Sequence, residues 1–538
     1  MNTSSQALIL INGKIHTMDP AQPFVTALSI RDGKILYTGS DSAAKDALPQ
    51  AVGENVIDLK GACVLPGLAD SHIHLMLFSN GLVQVQAEQP TKQQVLDSVA
   101  EFTRRKPRGT WITGFGWNHN LWDGKFPTAV DLDQVAAEHP VILRAKSGHA
   151  AWVNTLALRL AHITSQTADP PGGKIVRDEN GDPTGVLLEE ASIGLVERLV
   201  PEPSPGEVAE ILTRGIQAAH QAGLTCIHDM DQVNCFQGLQ ILHQTGRLTM
   251  RVIKSLPLTH LDEAIGVGLH TGFGDDWLRI GGVKMFADGA LGPLTAWMLE
   301  GFDSALDNTG ISTIPLEALH KAILKANAHG LAATVHAIGD RANREVLNIY
   351  AEVHSALGET GLRNRIEHVQ LIHPDDACRL ADLGVIASMQ PLHATSDMHI
   401  ADQQWGKRCA GAYALRTQQD CGAILALGSD CPVETLEPLA GIHAAITRRR
   451  ADGTPVPEGW HPEQRLTVEQ AVRGYTAGPA YAAGMEGRLG SLVPGKWADL
   501  TILDQDIFTI EPMEILNTRV LGTLTAGRFV WRAESLTD

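Results

Sequence analysis

The sequence predicts an α/β fold: a distorted (β/α)8 barrel with a small composite β-sandwich made from both termini and an inserted subdomain. Three observations carry this. Short apolar stretches ending in polar residues recur through the middle of the chain, separated mostly by helix-length segments. The two ends both read as strands and tight turns. Between the first and second barrel strands, the roughly 150 residues from His74 to Thr225 are far more than a structureless loop allows.

At the N-terminus, Ala7 to Thr17 and Ala27 to Gly39 read as strands, with Asp32-Gly33 as a hairpin turn. Near the C-terminus, Leu500 to Leu503, Arg519 to Thr523 and Arg528 to Trp531 read as strands, with Ala526-Gly527 as a turn. Neither end can bury both faces of a sheet alone, so one β-domain from residues 1–65 and 487–538 is expected. The barrel is expected over 66–486. Its strands are Val64 to His74, Thr225 to Asp229, Arg251 to Leu256, Ile280 to Asp288, Ala333 to Asp340, Arg365 to Gln370, Ile386 to Gln390 and Ile424 to Asp430. Leu316 to His329 and Arg341 to His354 are examples of the helical segments between them. The insertion is expected over 80–215 and holds the Trp-rich stretch Trp111 to Trp122 and the segment Pro140 to Leu158. No internal repeat or low-complexity tract is visible.

Composition narrows the function. Of the 538 residues, 44% are hydrophobic and 19% charged, which suits a chain with a large core and excludes a disordered or fibrous one. A formal net charge of −18 makes nucleic acid a poor partner, and the run Arg448-Arg-Arg450 reads as a solvated face. The apolar run Ala7 to Ile11 is too short for a signal peptide's core. No stretch approaches the ~18 apolar residues of a membrane helix, so no membrane is expected. The seven scattered cysteines contain no Cys-x-x-Cys pair and read as reduced thiols of a cytoplasmic protein. A small molecule is the expected partner, with a homodimer as the assembly to test.

The chemistry starts at Leu65-Pro-Gly-Leu-Ala-Asp-Ser-His72-Ile-His74. Two histidines at i and i+2 on a strand share a face, and at the end of a barrel strand that face is the active-site mouth. Imidazole suits Zn, Fe, Mn or Ni. Four further strand ends carry metal-compatible groups: Lys284, His336, His368 and Asp430. Taken singly, each has a bland reading as a satisfied histidine, a snorkelling lysine or a turn-forming aspartate. Together the six fall at one rim.

With these residues in place the chain resembles the amidohydrolase superfamily, and within it amidohydrolase family 3, which includes N-substituted formamide deformylases. The resemblance covers nearly the whole chain. It rests also on Gly490-Ser-Leu-Val-Pro-Gly-Lys-Trp-Ala-Asp499, Phe115-Gly-Trp-Asn-His-Asn-Leu-Trp122, Gly148-His-Ala-Ala-Trp-Val-Asn154 and His336-Ala-Ile-Gly-Asp-Arg-Ala342. It implies that His72 and His74 bind a first divalent metal with Asp430 beside it. His336 and His368 would bind a second, and Lys284, carboxylated on Nζ by CO2, would bridge the two. One or two metals per chain are expected, with zinc favoured by frequency. The expected reaction is hydrolysis of a C–N bond in a small amide, N-formyl amine or cyclic amide by metal-activated hydroxide, with Asp430 as general base. The same hydroxide would serve ester hydrolysis or deamination. An isomerase would use the metal without water attack, and a non-catalytic scaffold would not need all six ligands.

Other residues are weighed more plainly. Asp340 precedes a helical pattern and reads as an N-cap. Glu367 adjoins His368, so strand alternation turns it away from the mouth and it reads as structural. Asp288 reads equally as a turn or as a group near the substrate, and His228 as a substrate contact or packing. Trp117, Asn118 and His149 in the insertion are candidates to roof the pocket, with packing nearly as good a reading for Trp117 and Trp152.

Overall fold

The computed structural model describes residues 7–49, 55–122 and 124–536. The chain divides into two compact units, Met1–Met76 with Leu212–Asp538, and Leu77–Ile211.

The first unit holds an eight-stranded, all-parallel sheet: β1 (Leu68–Ile73), β2 (Leu224–Asp229), β3 (Arg251–Pro257), β4 (Leu278–Phe286), β5 (Ala333–Ala337), β6 (Arg365–His368), β7 (Ile386–Met389) and β8 (Leu425–Leu427). Neighbours in this list pair with one another. A parallel bridge between Ile73 and Cys431 joins the last strand's exit to the first. The result is a nearly closed, distorted (β/α)8 barrel. Parallel pairing puts every strand's C-terminal end on one side, so the polar residues that end the strands gather there.

The same unit contains the β-sandwich. One sheet orders Lys34–Gly39, Ala27–Arg31, Ala7–Ile11 and Val56–Asp58; the other orders Arg528–Arg532, Val520–Thr525, Leu500–Leu503, Cys63–Pro66, Lys14–His16 and Phe24–Val25. Leu8, Leu10, Ile30, Val64, Leu500, Ile502 and Leu524 form its core, so both termini supply one hydrophobic interior. Asp32-Gly33 and Ala526-Gly527 both place two consecutive residues at positive φ, as a tight two-residue hairpin requires.

The sequence reading of Val64 to His74 as one strand is corrected to two. Cys63–Pro66 belongs to the sandwich and Leu68–Ile73 to the barrel. The break is at Gly67, where a Cβ would lie 2.3 Å from Thr225 Oγ1; only glycine lets the chain pass that close to β2. Two other expectations are also corrected. Cys378, the N-cap residue of the short helix Arg379–Asp382, and Cys421, the last residue of the helix Leu415–Cys421, are 43 residues apart and form a disulfide. The five other cysteines are free and buried. Arg448 is fully buried, donating to the carbonyls of Trp460 and Tyr413, because its helix ends there with a left-handed turn inward.

The second unit is built on a six-stranded sheet ordered Lys174–Arg177, Pro183–Leu188, Ala150–Val153, Val141–Ala145, Ile112–Trp117 and Val85–Gln86. Its two clusters of buried residues centre on Trp117 with Trp152 and on Ile193 with Leu187. No helix among the described residues is long and apolar enough to cross a membrane.

Candidate metal centre

The site forms where β1 and β8 meet. Asp430 follows β8 in a left-handed conformation (φ 58°), and its N–H donates to His72 O at 2.7 Å. This turn aims the carboxylate back over β1. Asp430 Oδ1 lies 3.5 Å from His72 Nε2 and 3.4 Å from His74 Nε2. His368, at the end of β6, has its ring 4.8 Å from that of His72 and 4.6 Å from that of His336. His368 and Val369 both have positive φ (77° and 44°), and for a β-branched valine this is strained backbone of the kind that gathers at functional sites.

Every one of the four histidines has one ring nitrogen held by a partner. His72 Nδ1 donates to Glu367 Oε2 at 2.5 Å, His368 Nδ1 to Gln390 Oε1 at 2.8 Å, and His74 Nδ1 to Asp231 Oδ1 at 3.3 Å. His336 is held the other way, Nε2 donating to Gly289 O at 2.9 Å. These bonds select the tautomer and leave a lone pair on Nε2 of three rings and on Nδ1 of His336. A carboxylate or carbonyl behind an imidazole is the usual support of a metal ligand.

Electrostatics point the same way. Burial, with Lys284 nearby, pushes His72 down to about 4 and His336 down to about 3, and burial holds His368 well below its ordinary value. These rings are neutral and able to ligate. Burial opposes ionisation of Asp430, but His72, His393 and His74 hold its carboxyl well below the usual range. Burial also opposes protonation of His74, yet Asp231 and Asp430 on either side push it up to about 9; a metal cation satisfies the same pair of carboxylates as that proton. Lys284 Nζ is buried and has no hydrogen-bond partner among the described residues. Burial pushes its ammonium down to about 8, so a neutral amine is accessible there. Such a donor set, imidazoles around an ionised carboxylate and a lysine amine with no hydrogen-bond partner among the described residues, fits a divalent cation.

The sequence pattern of the Amidohydrolase family matches residues 55–531. The chain belongs to the amidohydrolase family. It is therefore a hydrolase of the metal-dependent amidohydrolase type. It is 34% identical to Protein LONG AFTER FAR-RED 3 of Arabidopsis thaliana over 97% of this chain and 91% of that protein. It is 27% identical to N-substituted formamide deformylase of Arthrobacter pascens over 98% of each. A solved structure of an uncharacterized metal-dependent hydrolase from Pyrococcus horikoshii superposes with a TM-score of 0.78 at 28% identity, over 94% of this chain and 99% of that one.

The amidohydrolase site contains residues that sequence reasoning passed over. Glu367 is fully buried, and its carboxylate accepts from His72, Arg365 and Ser388. It is no bystander of the strand: it orients a site histidine. The alternation argument failed because the left-handed backbone at His368 ends the regular strand, so Glu367 and His368 both serve the site. Arg365 also donates to Ser71 O and His228 Nδ1, fixing the floor of the barrel. His393 and Gln390, just past β7, approach Asp430 and His368. Phe286 shares its strand face with Lys284 two residues earlier; it is 48% exposed, with its ring 5.2 Å from that of His336. Lys284 Nζ lies 4.9 Å from the centre of this half-exposed ring, which gives the mouth an apolar wall. The Gln-Pro-Leu-His stretch ending at His393 follows a strand end and was the one available sequence signal.

The expected substrate contacts divide. His228 is buried and taken up by Arg365, which places it in the ionic network inside the barrel. Asp288 is buried and accepts the N–H groups of Trp297, Ile338 and Gly339; it ties the β4 loop to the β5 loop. Trp117 is fully buried in the second unit, its indole donating to Leu143 O, which is a packing role. Asn118 caps the turn at His119–Leu121 by accepting from Asn120 N, and His149 is exposed beside Glu189. Asp340 is the first residue of its helix, after the cap Gly339, and accepts from Leu299 N. Asp499 of the C-terminal motif is held by Arg251 of β3, joining sandwich and barrel.

Proposed function

We propose that this amidohydrolase cleaves a C–N bond of a small amide, N-formyl amine or cyclic amide with the help of divalent metal. His72, His74 and Asp430 would hold one cation, His336 and His368 would hold a second, and Lys284, carboxylated on Nζ, would supply an anionic ligand between them. The observation that carries the reading is the convergence of His72 Nε2 and His74 Nε2 on Asp430 Oδ1. The relative named N-substituted formamide deformylase supports the substrate class.

A divalent cation in this place polarises a carbonyl and lowers the pKa of water from ~15.7 towards ~7. The chain's own groups do the rest. Glu367, Gln390, Asp231 and Gly289 O aim the imidazoles, and burial keeps His72, His336 and His368 neutral. The Lys284 amine adds CO2, forming an N–C bond and releasing a proton, which turns a would-be repulsive ammonium into an anion. Asp430, ionised, takes the proton of the attacking water and delivers it to the leaving nitrogen as the C–N bond breaks. Phe286 offers an apolar face to the substituent of the substrate.

The test uses chelated and metal-reloaded protein with a panel of N-substituted formamides and cyclic amides. Amine and carboxylate release should vanish on chelation and return with divalent metal. Oxygen from ¹⁸O-water should appear in the acid product. Full turnover by metal-free protein, or product without the label, rejects the proposal.

A further inference from the structure

We infer that His393 is a metal ligand, and that with Asp430 Oδ2 it joins His336 and His368 around the second cation of the reading above. The inference rests on the metal-dependent reading above and extends its ligand set to β7, which supplies none of the six residues expected from the sequence.

The position of His393 follows from the chain. β7 ends at Met389, Pro391 begins a helix, and His393 lies in that helix's first turn, 5% exposed. Its Nε2 lies 3.3 Å from Asp430 Oδ2, and its Nδ1 lies 3.2 Å from Glu434 Oε1. This repeats the arrangement of His72, His74 and His368: one nitrogen backed by an acceptor, the other aimed into the site. Ligand atoms of His368, His393 and Asp430 all lie within 4.8 Å of one another, as do those of His72, His74 and Asp430.

The spacing at Asp430 fits a shared cation. Two ligands held at about 2.0–2.2 Å by one tetrahedral cation lie roughly 3.3–3.6 Å apart. The imidazole contacts to Asp430 are 3.5, 3.4 and 3.3 Å, for His72, His74 and His393. The supporting bonds behind the rings run from 2.5 Å (Glu367), 2.8 Å (Gln390) and 2.9 Å (Gly289 O) to 3.2 Å (Glu434) and 3.3 Å (Asp231), so the inference is carried by the convergence of three imidazoles on the two oxygens of one carboxylate. Asp430 also divides its oxygens: Oδ1 faces His72 and His74, and Oδ2 faces His393. A carboxylate so placed gives one oxygen to each cation.

The experiment is a titration of metal-stripped full-length protein with Co²⁺, read by equilibrium binding and by the visible d–d absorption, with His393→Ala and His393→Gln beside the parent. Gln keeps a donor for Asp430 but is a poor ligand, so it separates ligation from positioning. Far-ultraviolet circular dichroism confirms that each variant is folded. Two Co²⁺ per chain in the parent, and loss of one of them or at least tenfold weaker binding with a changed absorption in both variants, is expected. Parent-like binding and absorption in His393→Ala overturns the assignment. Full rescue by His393→Gln also overturns it, because a hydrogen bond to Asp430 would then be all that is needed. A parent that binds no Co²⁺ rejects the metal-dependent reading itself. If the variant does not fold, the count of imidazoles per cobalt by X-ray absorption on the parent decides: a count that cannot accommodate His393 overturns it.

Discussion

The barrel mouth and the inserted unit bury opposite things. At the mouth, Glu367, His72 and Asp430 are buried: against its burial, Glu367 is kept ionised by Arg365 and His72, and burial with Lys284 nearby keeps His72 neutral. In the unit from Leu77 to Ile211, Trp117 and Trp152 are buried, and the ionic network around Arg144, Glu190 and Glu197 stays partly in water. Burying a charge costs several kcal/mol unless it is paired, so buried charges take specific partners: Arg251 is paired with Asp499 where sandwich meets barrel, and Glu367 is paired with Arg365 behind His72. Burying tryptophan needs no such pairing. The contrast teaches that residue type at a turn is a poor guide to function unless the structure shows what its polar atoms do.

The sharpest way to break the contrast is Asp430→Asn, which keeps the shape and one oxygen but removes the base. Proton transfer by a positioned group contributes roughly 10²–10⁴-fold, so kcat should drop by that factor or more, while metal content, still held by the histidines, should fall far less than turnover. Near-parent turnover would leave Asp430 as a turn residue only. Trp117→Ala should act on stability alone. Emptying so large a buried site costs about 3–5 kcal/mol, seen as a lower denaturant midpoint for the inserted unit, with metal content unchanged. A parent-like midpoint would contradict its packing role.

Glu367→Gln tests the support behind His72. Loss of such a partner weakens metal binding about 10–100-fold, measurable by competition with a chelator; unchanged affinity would return Glu367 to a purely structural role. The smallest effect is expected from His149→Ala. His149 is exposed and its ring pairs with Glu189, so stability should move by less than about 0.5 kcal/mol. A change in the ratio of kcat/KM between small and bulky amides, with metal content constant, would give it a part in substrate choice; an unchanged ratio would remove it from that list.

Much of this was written in the chain order. Apolar stretches ending in polar residues specify parallel strands with one functional rim, because side chains alternate with period two and parallel pairing aligns the ends. That logic alone selected His72, His74, Lys284, His336, His368 and Asp430. It could not find what depends on contact through space. Glu367 meets His72 across 295 positions of sequence, His393 reaches Asp430 through a helix turn after β7, and the positive φ at His368 cancels the alternation that had set Glu367 aside. Trp117 carries the same residue type whether it lines a pocket or fills a core, and only its burial against Leu143 and Trp152 separates the two. Local periodicity fixes which face a residue takes; hydrogen-bond partners and burial belong to the packed chain, where distant segments compete for the same space, and so only the tertiary structure decided them.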